Sequence, residues 1–241
     1  MRVTAVAFAV TLPAMSLFGI GPREPVDAGP GWLVSPEWLP QDLFDPDMRV
    51  IDARPDVHAY LAGHVPNAVH LYEAALRGPS EGLPDHYLPP DLLAVMLERA
   101  GIGNGSRVVV YSDGEDVVDA TMIAYLLEKL GHRAHVLDGG YQAWNAQWLS
   151  SQGYPRPEKA RFKVGRLAAT SVDVGAVKAL LSRPGAAFVD ARPEPMFRGQ
   201  GRTWMRNGHI PGARNVDWRR LVRPDNPHQF RPASELRAIF A

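Results

Sequence analysis

Ser112 stands inside the stretch RVVVYSDGEDVVDATMIAYLLEKLGH, which runs from Arg107 to His132. A β-branched run precedes it and a helix-forming run follows. That is where α/β enzymes place a nucleophile or cradle a phosphate. The chemistry open to this loop is narrow. A serine hydroxyl attacks only when a neighbouring base takes its proton, and the local sequence offers Ser112 no such base. It lacks the G-x-S-x-G elbow of a serine hydrolase, and the loop is not a P-loop. Glu115, Asp116 and Asp119 make it acidic, which opposes the binding of an anion. The residue types therefore predict a structural loop at a position built for catalysis.

Composition narrows the choice further. The chain of 241 residues has no cysteine, which excludes disulfides, thiolate metal sites and a cysteine nucleophile within it. Lys+Arg 26 balances Asp+Glu 26, so no net charge draws the chain to nucleic acid or to an anionic membrane. His58, His64 and His70 recur at a spacing that gives them no common face, so no metal site and no cofactor is expected. The start, MRVTAVAFAVTLPAMSLFGIG, has Arg2 and then no charge until Arg23. A basic start before an apolar run is the pattern of a secretory signal, with Ala14–Ser16 as its small-residue cleavage site. Residues 3–21 also approach spanning length, so contact with a membrane is expected only if the segment stays uncleaved. Export, to the periplasm, is the expectation, and residues 1–30 are set aside from the fold.

The elements that must hold the loop come in two rounds. RVIDARPDVHAYLAGHVPNAVHL (Arg49 to Leu71) returns as AFVDARPEPMFRGQGRTWMRNGHIPGARNV (Ala187 to Val216). Asp52 and Arg54 answer to Asp190 and Arg192 at one offset. After a longer loop, His64 and Pro66 answer to His209 and Pro211. A repeat of this length fits tandem domains rather than a solenoid. In the first copy, a short strand in WLVSPEWLPQDL precedes a helix started by Ser35 with Pro36. RVID and RVVVY read as strands, LPPDLLAVMLERAGI as a helix ended by Gly101, DATMIAYLLEKLGH as a helix and AHVL as a strand. In the second copy Ser171 is the expected N-cap. Strands alternating with helices predict an α/β fold, a small parallel sheet flanked by helices on both faces. The domains expected are 31–153, a polar linker at 154–165, and an incomplete second copy at 166–241.

These motifs resemble the rhodanese family of sulfurtransferases. VIDAR…GHVPNAVHL, FVDAR…GHIPGARNV, VVVYSDG and LGHRAHVLDGGYQAW carry the resemblance, which covers nearly all of the chain after its N-terminal segment. It implies a five-stranded parallel sheet in each copy and, in tandem members, a first copy without catalytic residues. It also implies a cysteine directly after the central strand of the second copy. That thiolate takes a sulfane sulfur from a small sulfur-containing anion, thiosulfate or 3-mercaptopyruvate, and passes it to a thiol or cyanide. Backbone N–H groups and a helix N-terminus would keep such a thiol ionised. In the first copy, Ser112 occupies the cysteine position.

The second copy departs from the pattern. HQFRPASELRAIFA matches HYLPPDLLAVMLERAGI, which puts the counterpart of Ser112 beyond Ala241. The chain then reads as a fragment of a tandem sulfurtransferase, with the strand of AFVD short of a neighbour. The family's DARxxxR pattern is also broken, with Met196 at the last position. Arg192 and Arg198 remain as substrate-binding candidates, since a guanidinium suits an oxyanion. Asp190 and His209 are read as structural parts of the motif, and tying a strand end to a loop is an equal reading for Asp190 and Arg192. The alternative function is a non-catalytic rhodanese-like binding or regulatory module.

Overall fold

The computed structural model describes residues 8–11, 31–80, 82–114, 116–165, 171–200 and 206–241. Glu115, the proposed cleavage site at Ala14–Ser16, residues 166–170 and residues 201–205 lie outside them. In chain order the elements are β1 (Phe8–Thr11), β2 (Leu33–Val34), α1 (Leu39–Asp42), β3 (Met48–Asp52), α2 (Val57–Ala62) and β4 (Ala68–His70). There follow β5 (Arg77–Ser80), β6 (Leu83–Tyr87), α3 (Pro90–Arg99), β7 (Arg107–Tyr111), α4 (Val118–Lys129), β8 (Ala134–Leu137) and α5 (Gly140–Asn145). The rest of the chain forms α6 (Val174–Leu181), β9 (Ala186–Asp190), α7 (Glu194–Phe197), β10 (Arg214–Asn215) and α8 (Ala233–Phe240). The chain divides into two compact units. One holds residues 28–168 together with 227–229, and the other holds the remainder.

The first unit is built on a five-stranded sheet of order β2-β8-β7-β3-β4, parallel throughout. Its middle strands are runs of valine and isoleucine because both faces are covered. Val50 and Ile51 point to opposite faces and both are buried, as are Val108, Val109 and Val110. Leu39, Leu43, Tyr111 and Trp144 share one core cluster with Val50 and Val109. On α4, Ala120, Ile123, Ala124 and Leu127 recur at helical spacing and are buried. Gly101 ends α3 at a φ of 74°, where a left-handed residue closes the helix. The β7 strand thus ends in the middle of the sheet, and Ser112 follows it.

Two helix starts differ from expectation. Ser35 accepts a hydrogen bond from Trp38 N at 3.1 Å and forms a turn, so α1 begins at Leu39. Pro40, which has no N–H to leave unpaired, fits that helix's first turn. In the second unit, Asp173 caps α6 by accepting from Ala176 N at 2.7 Å. The residue expected there, Ser171, precedes the cap. A carboxylate caps as well as a hydroxyl and adds a favourable charge at the helix N-terminus.

The segment 154–165 has the composition of a linker but is fixed to the first unit. Ala160 N donates to the Glu98 carbonyl at 3.1 Å, and Phe162 N to the Glu98 carboxylate at 3.1 Å. Asn104 and Lys163 exchange hydrogen bonds of 2.7 and 2.8 Å. Phe162 is buried edge-on to His132. In the second unit β9 is the middle strand of the order β1-β9-β10. It pairs with β10 in parallel and with β1 antiparallel. On that edge, where a neighbour was expected to be lacking, β9 pairs with Phe8–Thr11 of the N-terminal segment. Among the described residues no helix is long and apolar enough to cross a membrane.

Candidate functional site

The loop after β7 is where the sheet, the start of α4 and the turn before α5 converge. Ser112 is buried at its base, 1% exposed. Its carbonyl accepts from Tyr141 N at 3.0 Å, which joins the loop to α5. Asp116 accepts from Val118 N, the first residue of α4, at 2.8 Å. The base absent from the local sequence is present in space. His228, also 1% exposed, puts Nδ1 3.1 Å from Ser112 Oγ and Nε2 3.3 Å from the Gly114 carbonyl oxygen. A carbonyl only accepts, so Nε2 carries the proton and donates. In the neutral ring Nδ1 is then the acceptor for the Ser112 hydroxyl. Burial, partly offset by the Gly114 bond and by Asp113 and Asp116, holds His228 below the ordinary histidine range and so neutral at pH 7. The expectation that Ser112 has no base is therefore corrected. The same geometry seals the pair, because the imidazole that could take the proton also fills the space over the hydroxyl.

Glycine makes room for this ring. Gly140 has a φ of 60°, and a Cβ there would stand 2.6 Å from the Ser112 carbonyl oxygen and 2.9 Å from His228 Cβ. Gly139 N donates to the His228 carbonyl at 2.9 Å. Asp138–Gly140 thus forms a tight turn shaped around another chain segment. The loop is acidic, and Asp119 is pushed up to about 6 by burial, then by Asp116 and Glu73.

The Asp-x-Arg motifs are built alike in the two units. Arg54 Nε lies 3.0 Å from both carboxylate oxygens of Asp52, and Nη2 reaches Asp52 at 2.6 Å and the Gly63 carbonyl at 2.7 Å. Arg192 Nε lies 2.9 and 3.2 Å from Asp190, and Nη2 reaches Asp190 at 2.5 Å and the Gly208 carbonyl at 2.7 Å. Burial raises the Asp190 carboxyl, but the Arg192 hydrogen bonds outweigh it and hold the group below its usual range. His209 Nδ1 lies 2.8 Å from the Phe197 carbonyl with the two rings stacked, as His64 Nδ1 lies 2.9 Å from the Tyr60 carbonyl under a stacked Tyr60. Arg198 pairs with Glu194 one turn back on α7 and is largely exposed. A third clasp joins Asp217 to Arg219. Its Asp-x-Arg spacing was the available signal. For His228 the signal was weaker, its match to His86 when HQFRP is laid on HYLPP.

Comparison with known proteins gives the same fold. Residues 35–147 match the family model of the rhodanese-like domain. A protein of Synechococcus elongatus, provisionally named a thiosulfate sulfurtransferase, is 40% identical over 88% of this chain and 73% of its own. The 3-mercaptopyruvate sulfurtransferase of Escherichia coli K12 is 31% identical over 87% of this chain and 78% of its own. The crystal structure of SseA from Escherichia coli, titled as a 3-mercaptopyruvate sulfotransferase of rhodanese fold, superposes with a TM-score of 0.76 at 30% identity. That match covers 87% of this chain and 82% of SseA. The chain belongs to the rhodanese family of sulfurtransferases.

The raised Asp119 carboxyl makes a pH-dependent prediction. Its folded value lies above the ordinary 3.8, so the folded state binds the proton more tightly and the charged form costs stability as pH rises from about 4 through 6. Asp119→Asn is expected to stabilise the protein at pH 7 by on the order of 1 kcal/mol, after discounting the shift for solvent screening. Urea melts at pH 7 and pH 4 check this. The gain should vanish at pH 4, and an equal gain at both would assign it to something other than charge.

Proposed function

We propose that this chain belongs to a sulfurtransferase that moves the sulfane sulfur of thiosulfate or 3-mercaptopyruvate to a thiol or cyanide. The carrier in this reading is a cysteine persulfide on the second copy's counterpart of the Ser112 loop, past Ala241. The supporting observation is that the first copy's own loop has a hydroxyl, a filling imidazole and acidic neighbours where the chemistry calls for a thiolate in an electropositive cradle. Arg192 and Arg198 are the candidates for meeting the donor's anionic group. One observation favours a second reading, a non-catalytic module. The 241 residues hold no thiol to carry sulfur.

The two readings separate on one assay, cyanide-dependent thiocyanate formation with either donor. The 241-residue chain is expected to show no turnover above background, and Ser112→Cys to restore none, because His228 occupies the approach. Turnover by the chain that Ser112→Ala abolishes would overturn the assignment of this loop. The product of the gene's full reading frame should turn over if the persulfide reading holds, and should not if the protein is a module.

We also infer export, from Arg2 and the uncharged run behind it. Mass spectrometry of the protein from its native host is expected to find the N-terminus removed. An intact Met1 on soluble cytoplasmic protein would contradict export.

A further inference from the structure

The Ser112 loop and the Asp138–Gly140 turn surround His228 with complementary groups on each side. Ser112 Oγ offers a hydroxyl to Nδ1, the Gly114 carbonyl takes the proton of Nε2, and Gly139 N holds the His228 backbone carbonyl. Gly140 is bare where a methyl group would strike the ring's Cβ and Cγ, at 2.9 and 3.0 Å. Gly114, at a φ of 95°, turns the loop so that its carbonyl faces the ring. Residues 227–229 belong to the same compact unit as this loop although they lie far from it in sequence. A chance surface contact would not use donor, acceptor and steric fit together, with both side chains removed from water.

We propose that the pocket at the end of β7 is a binding site for a neutral imidazole, occupied in this chain by His228. The required ligand is a flat ring with an acceptor nitrogen on one side and a donor nitrogen on the other. A histidine side chain provides both, and its own backbone carbonyl adds the third contact. Lysine and arginine only donate and have no acceptor for the serine hydroxyl. A phenyl ring fills the space but leaves the buried hydroxyl and carbonyl unpaired. The pocket therefore selects histidine, and it ties the 227–229 segment to the end of β7. This inference is independent of where sulfur transfer takes place.

The test is chemical rescue. His228→Gly should open a ring-sized hole lined by Ser112 Oγ and the Gly114 carbonyl, and free imidazole at pH 8 should fill it. The melting temperature of the variant is expected to rise with imidazole and then saturate, by several degrees, while the unaltered chain shows no such rise. 1-Methylimidazole, which accepts but cannot donate, should not rescue. Ser112→Ala added to His228→Gly should weaken the imidazole dependence about five- to tenfold, the loss of one hydrogen bond. If His228→Gly does not fold alone, its refolding yield is read against imidazole in the same way, and a yield rising with imidazole supports the site. Equal effects of both compounds, an equal rise in the unaltered chain, or a variant indifferent to imidazole would overturn it.

Discussion

A carboxylate is buried where β3 leaves the sheet, and the surrounding structure depends on keeping it paired. Asp52 is fully enclosed, and an isolated charge in that place would cost several kcal/mol. Arg54 binds it side-on and carries the connection to the Gly63 carbonyl. Tyr111, the last residue of β7, donates its hydroxyl to the same carboxylate at 2.5 Å and accepts from Val65 N at 3.1 Å. One charge thus fixes the ends of two adjacent strands and the GHVP turn between α2 and β4. Because Tyr111 is clamped, Ser112 has a fixed origin. The arginine also lies 4.3 Å over the Tyr141 ring, which brings α5 and the glycine turn to the same place. The second unit repeats the clasp with Asp190, Arg192 and the Gly208 carbonyl.

That constraint explains why the motif looks catalytic and serves structure. Arg54, buried with its fork spent on a carboxylate and a carbonyl, is a strut. The loop it positions lies directly after a buried central strand and against a helix start. There the His228 ring lies against the Ser112 hydroxyl, and burial, then Asp116 and Glu73, push the nearby Asp119 carboxyl up to about 6.

The features legible in the sequence were those written as local patterns. The DAR and GH[VI]P motifs carried the resemblance to the family. The β-branched run Val108–Val110 announced a strand covered on both faces, and Gly101 announced a helix end. Features that depend on long-range contact were not legible. Beyond the match of His228 to His86, the Pro227–Gln229 stretch carries no local pattern for folding with residues 28–168. The polar composition of 154–165 hides its hydrogen bonds to Glu98 and Asn104. The apolar N-terminal run reads equally well as a signal and as the strand that pairs with β9. Ser35 and Ser171 are good caps by type, but each stands near a better start, one set by Pro40 and the other by Asp173.

A neutral imidazole in the pocket, taking its hydrogen bond from Ser112, is what joins His228 to the end of β7. This link is tested most directly by the protonation state of that ring. Long-range nitrogen–proton correlation spectra of histidine-labelled protein at neutral pH distinguish the two tautomers and the cation. The account predicts a neutral His228 protonated on Nε2, with Nδ1 shifted as a hydrogen-bond acceptor and that shift lost in Ser112→Ala. A ring protonated on Nδ1, a cationic ring, or a His228 signal that titrates like a free histidine would contradict it.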